Sequence, residues 1–239
     1  PTAISSLMGT VVGVFNPQIT IAYAEDNTEN LVKIIKSCNR ILIFIMSIPI
    51  AFLTAYGRDF YAMWQPTKDA DMLQRLSLLA VGVLYVSMSI QVLYHVFIIT
   101  KKVKWNSLVI LGSGVLSSCL SLLLLKTTDL GVMVFPLSSM LTGLLRNLIF
   151  TPIYAARCLK IRWNRFYGDI LLGWISIGSI VILGNLSRMV FPVDSWIKLI
   201  LTGVVMGPLA LVLNFLIILR KEEREMVISL VKSRLKGVK

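Results

Sequence analysis

The stretch LTGLLRNLIFTP, residues 141–152, carries Arg146 and Asn147 between two apolar flanks. With its neighbours it forms a predominantly apolar run over 130–156, enough for a helix to cross a hydrocarbon core of ~30 Å. That reading fixes the fold class, because a spanning segment must satisfy its backbone internally and a helix does so. It also poses a functional question. A guanidinium in hydrocarbon is costly, and chains that keep one usually have a use for it.

Working outward, the same criterion marks spans over 2–24, 40–57, 74–99, 105–125, 130–156, 169–187 and 196–219. The predicted architecture is an all-α, polytopic integral membrane helical bundle. Composition agrees: of 239 residues 56% are hydrophobic and 15% charged, with mean hydropathy +0.79. The balance of 24 Lys and Arg against 12 Asp and Glu would suggest nucleic acid in a soluble protein. No basic run interleaved with aromatics accompanies it, so nucleic acid is not an expected partner. Loops facing a cytoplasm and an anionic leaflet explain the excess instead, with membrane lipids as partners.

The distribution of cations gives a direction. Segments after spans one, three, five and seven hold 17 of the Lys and Arg, those after spans two, four and six hold 6, and Arg146 is the remaining one. The positive-inside rule then places the chain start outside and the C-terminus in the cytoplasm. The chain opens at Pro1, inside an apolar stretch, and reads as a piece whose N-terminal part is missing. At the other end, 220–239 reads as a basic amphipathic cytoplasmic tail on the inner leaflet, or as a frayed polar tail.

Enzyme chemistry is not visible. All 12 acidic residues lie outside these spans or at their edges, Asp169 being nearest to an interior position. Neither a carboxylate pair for acid–base work nor a buried carboxylate for ion coupling is expected. No nucleophile elbow or phosphate loop occurs. Cys38, Cys119 and Cys158 are dispersed, and His95 reads as an interfacial hydrogen-bonding residue; no metal, cofactor or catalytic residue is assigned.

Polar residues at helical spacing remain. Ser87, Gln91 and Tyr94 or His95 share a face of span three. Ser113, Ser117 and Ser121 align in span four, and Ser5, Gly9 and Gly13 in span one; both stripes read as close helix packing. Pro17, between Asn16 and Gln18, is expected to kink span one and to serve either as a gate or as structure. Arg146 lies 11 residues from Arg157, or roughly 16 Å along a helix, close to the midplane of the bilayer. Ser139, Thr142 and Gly143 lie within about 60° of it on a helical wheel. Either it pairs with a carboxylate or carbonyls on another helix, or it offers a cation to an anionic substrate. The cavity candidates are Arg146, Asn147, Thr142, Ser139, Gln91, Asn16 and Gln18.

The order of features, FNPQIT with an acidic turn, a helix bearing Arg40 and Pro49, the FYAMWQP loop, then paired hairpins and a basic loop, resembles the C-terminal part of Wzx-type polysaccharide flippases. These belong to the superfamily that also holds MATE multidrug exporters. Trp64 is followed by Gln65 and Pro66, a departure from the W-x-G pattern of the family. The resemblance implies the C-terminal lobe of a MATE-like two-lobe transporter in the bacterial inner membrane, with the N-terminal lobe of the same chain as partner. Its substrate would be an undecaprenyl-pyrophosphate-linked oligosaccharide moved from the inner to the outer leaflet. The alternatives are a MATE-type multidrug or small-molecule exporter and a polytopic membrane enzyme of polysaccharide biosynthesis.

Overall fold

The computed structural model describes residues 2–220, 224 and 225. Among them α1 (Thr2–Ala24) leads through a tight turn into α2 (Thr28–Trp64), where the Asn27 side chain caps the new helix by accepting from the Asn30 amide at 3.0 Å. At 37 residues α2 is about 55 Å long, well beyond a ~30 Å hydrocarbon core. The expected span 40–57 is therefore only its middle. Hydropathy locates what lipid can cover; the polar ends continue the helix because Leu31, Val32, Ile35 and Cys38 still bury one stripe. α2 is the central post, packed on α1, on α3 (Ala70–Val81), on α9 (Tyr167–Val190) and on α10 (Trp196–Ile217).

The expected continuous helix 74–99 is broken into α3, α4 (Leu84–Ser87) and α5 (Leu93–Ile99). Between them the backbone winds more tightly, with i→i+3 bonds such as Ser89 N to Val86 O at 2.9 Å and Leu93 N to Ile90 O at 2.9 Å. Close crossings surround this break. A Cβ on Gly82 would collide with Met140, one on Gly143 would lie 2.8 Å from Val83 Cγ2, and one on Gly173 2.6 Å from Ser89 Oγ. Packing of this density overrides the helical preference of an apolar run.

α6 (Val103–Thr127) follows, then α7 (Val134–Leu145), a π turn over Arg146–Phe150, and α8 (Thr151–Cys158). Among the described residues seven helical stretches are long and apolar enough to cross a membrane. One end of the bundle gathers the α1–α2 turn, the α8–α9 loop and the end of α10. The other holds Arg188 paired with Asp59 at 2.9 Å, Arg58 paired with Asp71 at 2.7 Å, and Phe60 against Trp196.

The small-residue stripe of α1 departs from expectation, whereas Ser113, Ser117 and Ser121 lie on the side of α6 that packs on α7. Ser5, Gly9 and Gly13 on α1 are exposed, and a Cβ at Gly9, Gly13, Gly112 or Gly114 would meet nothing within 4 Å. The glycines that permit close packing are Gly57, Gly82, Gly143, Gly173 and Gly184. The amphipathic tail expected over 220–239 lies, beyond Arg220, Arg224 and Glu225, outside the described residues.

Candidate functional site

Pro152 sets the local geometry of the fifth span. A proline ring clashes with the carbonyl four residues earlier and supplies no donor to it. Here that carbonyl belongs to Leu148. The chain widens into a π turn, with Thr151 N bonding Arg146 O, and the Leu148 carbonyl instead accepts the Tyr167 hydroxyl of α9 at 2.7 Å. Single π turns inside α-helices are frequent at functional sites. This one begins at Arg146 and includes Asn147.

Asn147 is 1% exposed and joins three helices. Its Oδ1 accepts from Tyr94 OH of α5 at 3.1 Å and from Arg146 Nε at 3.2 Å; its Nδ2 donates to Ser87 Oγ of α4 at 2.9 Å. Ser87 and Tyr94 thus meet one amide across the tightened segment, which aligns them as the sequence stripe suggested. Gln91, between them, is half-buried.

Arg146 is half-buried. Besides Asn147 it reaches α6, where Nη1 donates to Ser113 Oγ at 3.3 Å. Both partners are neutral and both contacts are long for a guanidinium. Among the described residues Arg146 has no carboxylate partner. Five N–H groups are available on a guanidinium, so most remain for another acceptor. Two turns earlier Ser139 lies 3.4 Å from Ser117 of α6, while Thr142, one turn earlier and 5% exposed, donates to the Ser138 carbonyl at 2.9 Å. Ser138 is fully buried and its hydroxyl has no partner among the described residues. Arg146, Asn147, Thr142 and Ser139 therefore form one polar seam with Ser87, Tyr94, Ser113 and Ser117. The serines of α6 do more than allow close packing; the periodicity that grouped them was the available signal for this.

The remaining candidates lie elsewhere. α1 stays helical through Pro17. Asn16 is half-buried with its Oδ1 unpartnered, and Gln18 and Pro17 are exposed. Thr20 donates to the Asn16 carbonyl at 2.8 Å and lies 3.3 Å from His95 Nε2 on α5. Adjacent residues of α5 thus face the two groups: Tyr94 toward Asn147 and His95 toward α1.

Two polar clusters have little sequence signal. Asp169, 2% exposed, accepts from Asn39 Nδ2 at 3.2 Å, so a buried carboxylate exists where none was expected. The sequence placed it at a span edge; α9 begins two residues before it, and α2 covers it. Asn214, fully buried, accepts from Ser176 at 2.7 Å and donates to Ser47 Oγ at 2.7 Å. It ties α10 to α9 and α2 as neutral interhelical glue.

No family model and no solved structure matches the chain. It is similar to a Bacillus subtilis (strain 168) protein described as an uncharacterized membrane protein, EpsK. The two are 27% identical over 235 residues, covering 95% of this chain and 45% of the relative. The chain is a multi-pass membrane protein. It spans less than half the length of that curated relative.

Proposed function

We propose that this chain is the C-terminal lobe of a two-lobe transporter that flips a lipid-linked oligosaccharide, and that Arg146 meets the diphosphate of its substrate. The carrying observation is an intramembrane arginine held only by neutral groups, Asn147 and Ser113, with no carboxylate partner among the described residues. A structural arginine within a bilayer pairs with charge or carbonyls; one that handles an anion keeps donors free. Bidentate donors that stay charged suit a diphosphate that must cross low dielectric.

On this reading the protein carries cargo and makes no bond in it, sits in the bacterial inner membrane, and has its C-terminus in the cytoplasm. The lobe would need the rest of its own chain to enclose a cavity. The exposed, mixed polar and apolar surface of α1 and the open glycines of α1 and α6 are consistent with surfaces that another element meets. A multidrug exporter of related architecture would handle cations and gain nothing from Arg146.

Deletion of the gene in its native host tests the proposal. A flippase defect leaves lipid-linked oligosaccharide accumulated on the cytoplasmic face. Failure to synthesise that lipid would replace the transporter reading with an enzyme, and an unchanged distribution would reject the substrate.

A further inference from the structure

A dense concentration of charge among the described residues lies away from the Arg146 seam. At the end of the bundle where α2 starts and α10 finishes, a cavity of about 350 Å³ is lined by Lys33, Lys36, Ser37, Arg165 and Arg220, with Glu29 the one carboxylate on its wall among the described residues. Lys36 is within electrostatic reach of Arg165, Arg220, Arg40 and Asp169. A second cavity of about 480 Å³ shares Arg165 and adds Lys160 and Arg162. Asp169 lies beneath this end, engaged by Asn39 and buried.

Three separate pieces of chain bring these cations together: the first turns of α2, the loop before α9, and the segment after α10. Like charges gathered from distant segments repel, and among the described residues they outnumber the nearby carboxylates Glu29 and Asp169, so a further anion at this place is stabilising. A guanidinium carries five donors and an ammonium three, so a cation already engaged on one side keeps donors for an oxyanion. Exposed apolar residues on the two helices whose ends meet at the cavity favour a lipid as the source of that anion. Leu171, Trp174 and Ile175 on α9 and Val212 and Leu216 on α10 are exposed, and lie on the two helices that border the cavity. A headgroup seated among the cations would lay its acyl chains along them.

We infer that this cavity is a binding site for the phosphate headgroup of an anionic phospholipid, held by Lys36 and Arg165. Basic pockets between membrane helices serve this purpose generally. With the positive-inside orientation the site faces the inner leaflet. It is distinct from the seam around Arg146 and holds whether or not the protein is a flippase.

The test uses the full-length protein purified in detergent, with lipid retention read by native mass spectrometry and melting temperature read beside it. Dioleoyl phosphatidylglycerol is the probe, dioleoyl phosphatidylcholine the neutral control, and inorganic phosphate the competitor. The expected result is retention of phosphatidylglycerol at least about tenfold above phosphatidylcholine, with a rise in melting temperature. Lys36→Gln with Arg165→Gln should remove that preference, Lys36→Arg with Arg165→Lys should keep most of it, and Arg58→Gln at the opposite end should leave it unchanged. Equal retention of the two lipids by the unaltered protein overturns the site, whatever the variants do. Displacement of the lipid by millimolar inorganic phosphate, or loss of preference in Arg58→Gln as well, overturns the assignment to a phospholipid held here.

Discussion

Tyr167 donates its hydroxyl to the Leu148 carbonyl at 2.7 Å, filling the acceptor that Pro152 leaves open one turn on. The bond links α9 to the π turn that starts at Arg146. Tyr167→Phe should therefore lower stability by about 1 kcal/mol, the range of interhelical hydrogen bonds in membranes. Pro152→Ala restores a backbone donor, so adding it to Tyr167→Phe should recover most of the loss. Melting of the two single variants and the double variant in detergent checks this; simple additivity would mean that the proline and the tyrosine act independently.

Asn147 carries a sharper expectation. Asn147→Leu abandons Ser87, Tyr94 and Arg146 together and should cost roughly 1–3 kcal/mol, as loss of a buried hydrogen-bonding hub does. Asn147→Asp keeps the shape and places a carboxylate beside Arg146. The fold should then hold while transport falls at least about tenfold, because the arginine is neutralised from within. Retained transport would mean that Arg146 does not need to be free.

The ends of the bundle offer a contrast between two ion pairs. Arg188 and Asp59 have side-chain exposures of 31% and 11%, and Arg188 also donates to the Ala55 carbonyl at 3.1 Å. Arg58 and Asp71 are 52% and 53% exposed. Removing one member of a shielded pair strands the other, whereas exposed pairs contribute little. Asp59→Ala should lower the melting temperature by several degrees and Asp71→Ala should leave it where it is. Equal shifts would show that exposure does not govern these pairs.

Pro17→Ala addresses the first helix. If the proline lets α1 act as a gate, the variant should reach the membrane at normal abundance and transport more slowly. Quantitative blotting beside a transport assay reads both; normal transport at normal abundance removes the gate.

How far the residues alone could lead depends on what hydropathy measures. It finds segments that lipid can cover, so the existence of seven apolar crossings was legible. It does not find helix ends, and α2 runs on past both limits of its apolar middle because its buried stripe continues. Nor does it find breaks made by packing. Nothing in GVLYVSMSIQV announces that this run will tighten, since the cause sits on other helices, at Met140, Gly143 and Gly173. For the candidate site, periodicity put Ser139, Thr142 and Arg146 on one side of a helix and Ser87, Gln91 and Tyr94 or His95 on one face of another. The meeting of those groups on Asn147 depends on the π turn. Pro152 was visible as a break, but its effect on register was not. Asn16 and Gln18 flank a proline and looked like the same cavity, yet they lie across α5 from the seam. Asp169 was missed because its burial is due to α2, a neighbour in space that stands 130 residues away from it in sequence at Asn39.

The central claim is that Arg146 acts on an anionic substrate and is not part of the scaffold. The measurement is flipping of a diphosphate-linked lipid in proteoliposomes by Arg146→Ala and Arg146→Lys, normalised to folded protein, with melting temperature read on the same preparations. Among the described residues only two neutral hydrogen bonds are lost from the fold, so the alanine variant should melt close to the unaltered protein while its activity falls at least about tenfold. The lysine variant, which keeps the charge without the fork, should retain part of the activity. A clear drop in melting temperature with activity per folded molecule unchanged would contradict the account and leave Arg146 as a structural residue.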